Sequence, residues 1–159
     1  HTAPKVHNSE ISNIKTLHIM VIQRWQSVLL LIAVVLMCIF CATPYAQVKA
    51  IESADPTPVF AADAPVFLIL NIVIAALLFI AIFLFKNLKL QMRVTLITIL
   101  LIAASIVTCG FILYASMPDA ELIWTGGVLL LVAAMVCALF GLRFMRKDRN
   151  LLRSYDRLR

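Results

Sequence analysis

The sequence predicts an all-α integral membrane protein: a bundle of four transmembrane helices with both the N- and C-terminus cytoplasmic. Three observations carry that expectation. Hydrophobic residues make up 63% of the chain and its mean hydropathy is +1.00, far above a water-soluble domain, in which apolar usage is nearer half. Four apolar runs, Trp25 to Thr43, Val66 to Phe85, Val94 to Ala115 and Ile123 to Leu142, hold no Asp, Glu, Lys, Arg or His. Each is close to the ~20 residues that a helix needs to cross a hydrocarbon core. Finally, nearly every Lys and Arg falls where four crossings would put a single side of the membrane.

Residues 1–19 are polar, lack helical periodicity and begin with His rather than Met, so they are read as an extraneous or disordered extension. The transmembrane domain then occupies 20–145, and 146–159 form a basic cytoplasmic tail. The first apolar run is longer than a typical signal core, which favours a retained span over a cleaved leader. Short cytoplasmic loops are enriched in Lys and Arg. Lys5, Lys15 and Arg24 precede the first span, and Lys86, Lys89 and Arg93 fill the second connection. Arg143, Arg146, Lys147, Arg149, Arg153, Arg157 and Arg159 follow the fourth span. The opposite side receives Lys49 alone among basic residues, beside Glu52, Asp55, Asp63, Asp119 and Glu121.

The first exterior connection carries Pro44, Pro56, Pro58 and Pro65, which forbid a continuous helix. An extended or partly disordered loop is expected there, with a strand pair around Tyr45 to Ile51 as the less favoured alternative because alternation is weak. The second, Ser116 to Glu121, contains Pro118-Asp119 and reads as a tight turn between helices.

Inside the spans the expected chemistry is packing, because lipid gives helices no hydrophobic reason to associate and small residues let backbones approach. Ala133, Cys137 and Gly141 recur every four residues as a close-contact stripe, with Ala134 and Ala138 beside them. Thr98, Ser105, Thr108 and Cys109 lie near one face of the third span. Asn71 in the second span needs several partners for its amide, and interhelical hydrogen bonds are the preferred role for it and Ser105.

Two alternative functions arise from the spans. Cys38-x-x-Cys41, with Cys109 in the same leaflet, loosely resembles the cysteines of quinone-coupled thiol oxidases. Those enzymes exchange two cysteine pairs, however, and Cys137 should lie in the other leaflet, beyond the ~7 Å that a disulfide permits between Cα atoms. A small oligomeric transporter is the other alternative, although no span holds the embedded carboxylate on which proton coupling depends. No catalytic constellation, metal set or cofactor site is expected.

Specific residues instead accumulate on the cytoplasmic face. Gln23, Arg24, Lys86, Asn87, Lys89, Gln91, Arg93, Arg146, Lys147, Arg153, Asp156 and Arg157 are its candidate interaction residues. In the tail, Leu151, Tyr155 and Leu158 follow helical spacing while Arg149, Arg153 and Arg157 repeat on another face, which describes a basic amphipathic helix continuing the fourth span. Such a helix suits anionic headgroups, worth about 1 kcal/mol per basic residue near the surface. It also suits a latch against Asp148, Asp156, Gln23, Asn87 and Gln91, or a protein partner. Nucleic acid is not expected, since no recognition module accompanies the arginines.

Three motif blocks on this face carry a family resemblance. They are Ile22-Gln23-Arg24 with Gln26-Ser27; Leu84-Phe85-Lys86-Asn87 with Lys89-Leu90-Gln91-Met92-Arg93; and Arg143-Phe144-x-Arg146-Lys147-Asp148, Leu151 and Ser154-x-Asp156-Arg157-Leu158-Arg159. Over Met20 to Arg159 the chain resembles the Bacteroidetes membrane-protein family known as domain of unknown function 4293. It departs from that pattern at Trp25 and Tyr155. The resemblance implies a multi-pass protein of the bacterial inner membrane and supplies no activity. The functional expectation is therefore a non-catalytic accessory or partner-binding subunit that acts through its basic cytoplasmic face.

Overall fold

The computed structural model describes residues 25–49, 55–116, 121–123 and 126–156; side chains at 116, 121–123 and 152–156 lie outside that description. Four helices are long and apolar enough to cross a membrane. They are α1 (Trp25–Ala42), α2 (Pro65–Phe83), α3 (Leu88–Ser116) and α4 (Gly127–Asp156). Each begins where its chemistry permits. Pro65 opens α2 at a position whose N–H has no helical partner in any case. A short 3₁₀ turn, Leu84–Lys86, ends α2, and Asn87 then starts α3 by accepting hydrogen bonds from the N–H groups of Leu90 and Gln91, both at 2.9 Å.

Every helix buries one stripe and leaves the rest of its apolar surface outward. The inward stripes step by three and four residues: Gln26, Leu30, Ala33, Met37 and Phe40 on α1, and Phe67, Asn71, Ile74, Leu78 and Ala81 on α2. On α3 the stripe includes Gln91, Thr95, Thr98, Ile102, Ser105 and Cys109; on α4 it includes Leu131, Ala134, Ala138, Leu142, Met145 and Asp148. Large apolar side chains such as Leu31, Ile69, Leu100, Val107 and Leu129 point away from the bundle. A surface of that composition is matched by lipid rather than water. Trp25 at one end and Tyr114 near the other are also exposed, the places where aromatic rings settle at membrane interfaces.

One polar pair lies deep between helices. Ser105 Oγ donates to Asn71 Oδ1 at 2.8 Å, and Asn71 Nδ2 donates to the Phe67 carbonyl at 2.8 Å. Both residues are fully buried, and the pair joins α2 to α3 as their positions in the sequence suggested. Replacing Asn71 by Leu should cost about 0.6–2 kcal/mol, the range for hydrogen bonds between membrane helices. In a double-mutant cycle with Ser105→Ala, thermal melting in detergent should show a coupling of similar size rather than additivity.

The connections after α1 and α3 differ from expectation. Ala46–Lys49 (β1), Thr57–Val59 (β2) and Glu121–Ile123 (β3) form an antiparallel sheet in the order β2-β1-β3. The register pairs Gln47 with Pro58 and with Ile123. Thus the connection after α3 is not merely a tight turn: it reaches across and pairs with the connection after α1. Pro58 is tolerated because β2 is an edge strand and needs no N–H on its outer side. Pro118-Asp119 lies outside the described residues. The sheet also moves the start of the fourth helix from Ile123, where the apolar run begins, to Gly127.

Beneath the sheet, Phe40 of α1, Tyr45 and Phe67 of α2 meet with ring centroids 5.8–6.0 Å apart. Tyr45 is among the largest fully buried side chains of the protein. Gly127 packs directly on its backbone: a Cβ built there would lie 2.5 Å from Tyr45 Cα and 2.8 Å from the Pro44 carbonyl oxygen. The first turn of α4 therefore closes over the aromatic cluster only because residue 127 has no side chain.

Candidate functional site

The end of the bundle opposite the sheet gathers most of the candidate residues. Lys86 and Asn87 are exposed in the turn between α2 and α3, followed by exposed Lys89 and Arg93 on the first turns of α3. From α4, Arg143, Arg146 and Lys147 are exposed beside them, and Arg149 is half-buried. The unbroken run of α4 to Asp156 brings these groups past the apolar part of the helix. It also carries the backbone of Arg153 and Asp156 in the same helix, as the tail periodicity suggested; their side chains, together with Gln23, Arg24 and Arg157, lie outside the described residues.

Gln91 is the exception on this face. It is 2% exposed and turns into the bundle with Thr95 and Thr98, on the same helical stripe. A residue type common on surfaces masked that register. Asp148 behaves similarly at 5% exposure. It faces Gln26 of α1, yet too loosely for a full hydrogen bond, so Asp148 Oδ1 and Gln26 Nε2 both remain without a partner. Thr95 Oγ1 approaches Met145 Sδ at 4.0 Å in the same layer. In this layer Gln26 of α1 and Thr95 of α3 pack against Asp148 and Met145 of α4.

The small-residue stripe of α4 is turned by one position from the spacing read in the sequence. Ala134 and Ala138 are fully buried, whereas Ala133 and Cys137 are half-buried at its edge. Gly141 is buried against α1, where an added Cβ would meet Leu30 Cδ2 at 3.6 Å, ordinary contact. The cysteines are all free thiols: Cys38 is exposed, Cys41 and Cys137 are half-buried and Cys109 is buried.

Two of the hollows among the described residues accompany these features. The larger, about 380 Å³, lies at the sheet end between Tyr45, β2, Asp63 and the α3 residues Ile112 and Leu113. Of its polar groups, Asp63 Oδ2 accepts the Phe60 N–H at 2.7 Å and the Thr57 hydroxyl donates to the Val48 carbonyl at 3.1 Å, whereas the Tyr45 hydroxyl is buried without a partner. The smaller, about 160 Å³, opens between α3 and α4 at the tail end and is lined by Lys89, Arg93, Arg146 and Arg149 over Met92, Leu96 and Leu142. Burial leaves the Nε of Arg149 without a hydrogen-bond partner. Sequence reading placed Lys89, Arg93 and Arg146 on one face but did not show that two helices fold them around a cleft.

Fold and face together define a multi-pass membrane protein of four helices, capped by a small sheet at one end and cationic at the other. The chain belongs to the DUF4293 family, a domain of unknown function whose profile matches residues 22–158. No curated protein and no solved structure matches it.

Proposed function

We propose that this protein is a non-catalytic accessory subunit of the bacterial inner membrane, with both termini in the cytoplasm, engaging a protein partner and anionic headgroups through its basic end. The observation that carries this reading is electrostatic. Lys86, Lys89, Arg93, Arg143, Arg146 and Lys147 stand exposed together at one end of the bundle, and among the described residues no carboxylate forms an ion pair with them. Asp148, the nearest acid in sequence, is turned into the bundle. Like charges assembled without counter-charges repel one another, and an acidic partner surface or an anionic leaflet relieves that repulsion while fixing orientation. The lysine and arginine bias also supports the cytoplasmic placement of this end, and the Bacteroidetes resemblance of the motif blocks supports a bacterial inner membrane.

The test is co-purification from native membranes in mild detergent. Changing Lys86, Arg143 and Lys147 to Gln should remove a stoichiometric protein partner while helical content and melting stay within about 0.5 kcal/mol of the parent, as exposed substitutions generally do. A partner retained in full by that variant would remove these residues from the interface.

A further inference from the structure

We propose that the cleft between α3 and α4 is a specific site for the phosphate group of an anionic phospholipid. This inference deepens the reading of the basic end as a membrane-surface face by naming one ligand and one place on it. Lys89 and Arg93 lie one turn apart on α3, Arg146 and Arg149 one turn apart on α4, and all four line the same hollow. The side chains approach from two helices, so a single anion between them contacts cations from both sides. Arginine suits this task because its planar fork binds phosphate oxygens in pairs. Arg149 supplies a second, independent sign, since its buried Nε has no acceptor among the described residues. An anion seated in the cleft would provide one.

Size and surroundings narrow the ligand. At about 160 Å³ the cleft is several times the ~30 Å³ share of one water and below the ~300 Å³ at which pockets for drug-sized molecules begin. A phosphate with a small ester substituent fits that window. Below the cations the lining becomes apolar at Met92, Leu96 and Leu142, and α3 continues outward with exposed Leu100. The order is the one a phospholipid presents: charged headgroup at the surface, then acyl chain along an apolar helix face. Basic hollows between transmembrane helices recognise anionic headgroups on this physical basis.

The site is distinguishable from diffuse attraction by comparing two variants with equal charge change. Arg93→Gln/Arg146→Gln alters the cleft, and Lys86→Gln/Lys147→Gln removes two exposed cations outside it. The full-length protein in detergent is titrated with phosphatidylglycerol, phosphatidylcholine or glycerol phosphate, and bound ligand is counted by native mass spectrometry. The parent should hold one phosphatidylglycerol in preference to phosphatidylcholine, and the Lys86/Lys147 variant should keep that stoichiometry and preference even as its diffuse attraction to anionic headgroups falls. The Arg93/Arg146 variant should bind it about thirtyfold more weakly, roughly fivefold for each cation lost. A Lys89→Gln/Arg149→Gln variant should show the same loss, so the result does not depend on one substitution folding well. Equal weakening in the cleft and control variants, or none in either, would overturn the proposal. Cleft-dependent binding of glycerol phosphate without phosphatidylglycerol would overturn the lipid assignment in favour of a soluble phosphate ester. Loss of lipid selectivity with the protein partner retained would separate failure of this site from failure of the accessory role.

Discussion

Replacing Gly127 by Val should leave little folded protein, and even Gly127→Ala should cost about 3 kcal/mol, the upper part of the range for overpacking. The reason is the identity of the neighbours. The atoms that a new Cβ meets, Tyr45 Cα at 2.5 Å and the Pro44 oxygen at 2.8 Å, belong to backbone held between α1 and the central strand. A flexible side chain can swing aside; backbone leading into the central strand, with the Tyr45 N–H bonded to the Val59 carbonyl at 3.0 Å, cannot. Relief would require α4 to lift from the aromatic cluster of Phe40, Tyr45 and Phe67, or β1 to leave β3. Gly141→Ala is the internal control. Its Cβ would rest at 3.6 Å on the flexible end of Leu30, and removing a helical glycine is worth up to about 1 kcal/mol. Thermal melts in a single detergent should therefore move in opposite directions for the two glycines. Equal tolerance of alanine at both positions would show that the packing of α4 on the sheet end is looser than described.

Tyr45→Ala should be comparably damaging, at about 3–5 kcal/mol, the usual cost of deleting a buried aromatic ring. Tyr45→Phe should not be. The phenol oxygen is buried without a partner, so removing it deletes a desolvated group and should be neutral or stabilising by about 1 kcal/mol. The same burial has a pH signature. It pushes the Tyr45 phenol up to about 12 from an ordinary value of 10.0, with Cys109 and Asp63 adding smaller opposition to a negative charge. Since the folded state raises the phenol above its unfolded value, its contribution to stability is fully present below pH 10.0 and is lost as pH rises toward about 12. Alkaline melts of the parent should fall through that window, and those of Tyr45→Phe should fall less. Identical alkaline profiles would mean that Tyr45 is in contact with water.

Much of this architecture was legible because a bilayer imposes strong rules on sequence. Uncharged apolar length identified four crossings, and Pro65 and Asn87 sit at helix starts. Asn71 and Ser105 stood out as polar residues in apolar runs, although only the structure joins them. The sheet was not legible for a physical reason. Strands of three and four residues have little periodicity, and Glu121–Ile123 is a strand only because Ala46–Lys49 from a distant connection lies beside it. Ile123 also continued the apolar run of the fourth span, which hid the break before Gly127. The α4 stripe illustrates the limit of spacing arguments: Ala133, Cys137, Gly141 and their neighbours Ala134 and Ala138 satisfy nearly the same period, and neighbouring positions differ by ~100° around a helix. The packing partner, α1, decides between them. Gln91 was read as part of the cytoplasmic interaction face and Asp148 as an acid for a tail latch, whereas their helical registers with Thr95 and Met145 turn both inward. On the basic end, charge was visible in the sequence and the cleft was not, because it forms only where Lys89 and Arg93 of one helix meet Arg146 and Arg149 of another.

The proposal that the cationic end engages a protein partner is tested most directly by crosslinking in intact native membranes. A photoreactive amino acid is placed at Lys86 or Lys147 at the basic end, and at Asp55 or Pro56 at the sheet end, all exposed positions. A discrete adduct with one protein, formed from Lys86 and Lys147 and absent from the sheet-end positions, is the predicted result. Adducts arising chiefly from the sheet end, or none at Lys86 and Lys147 with crosslinker incorporated at all four sites, would contradict it.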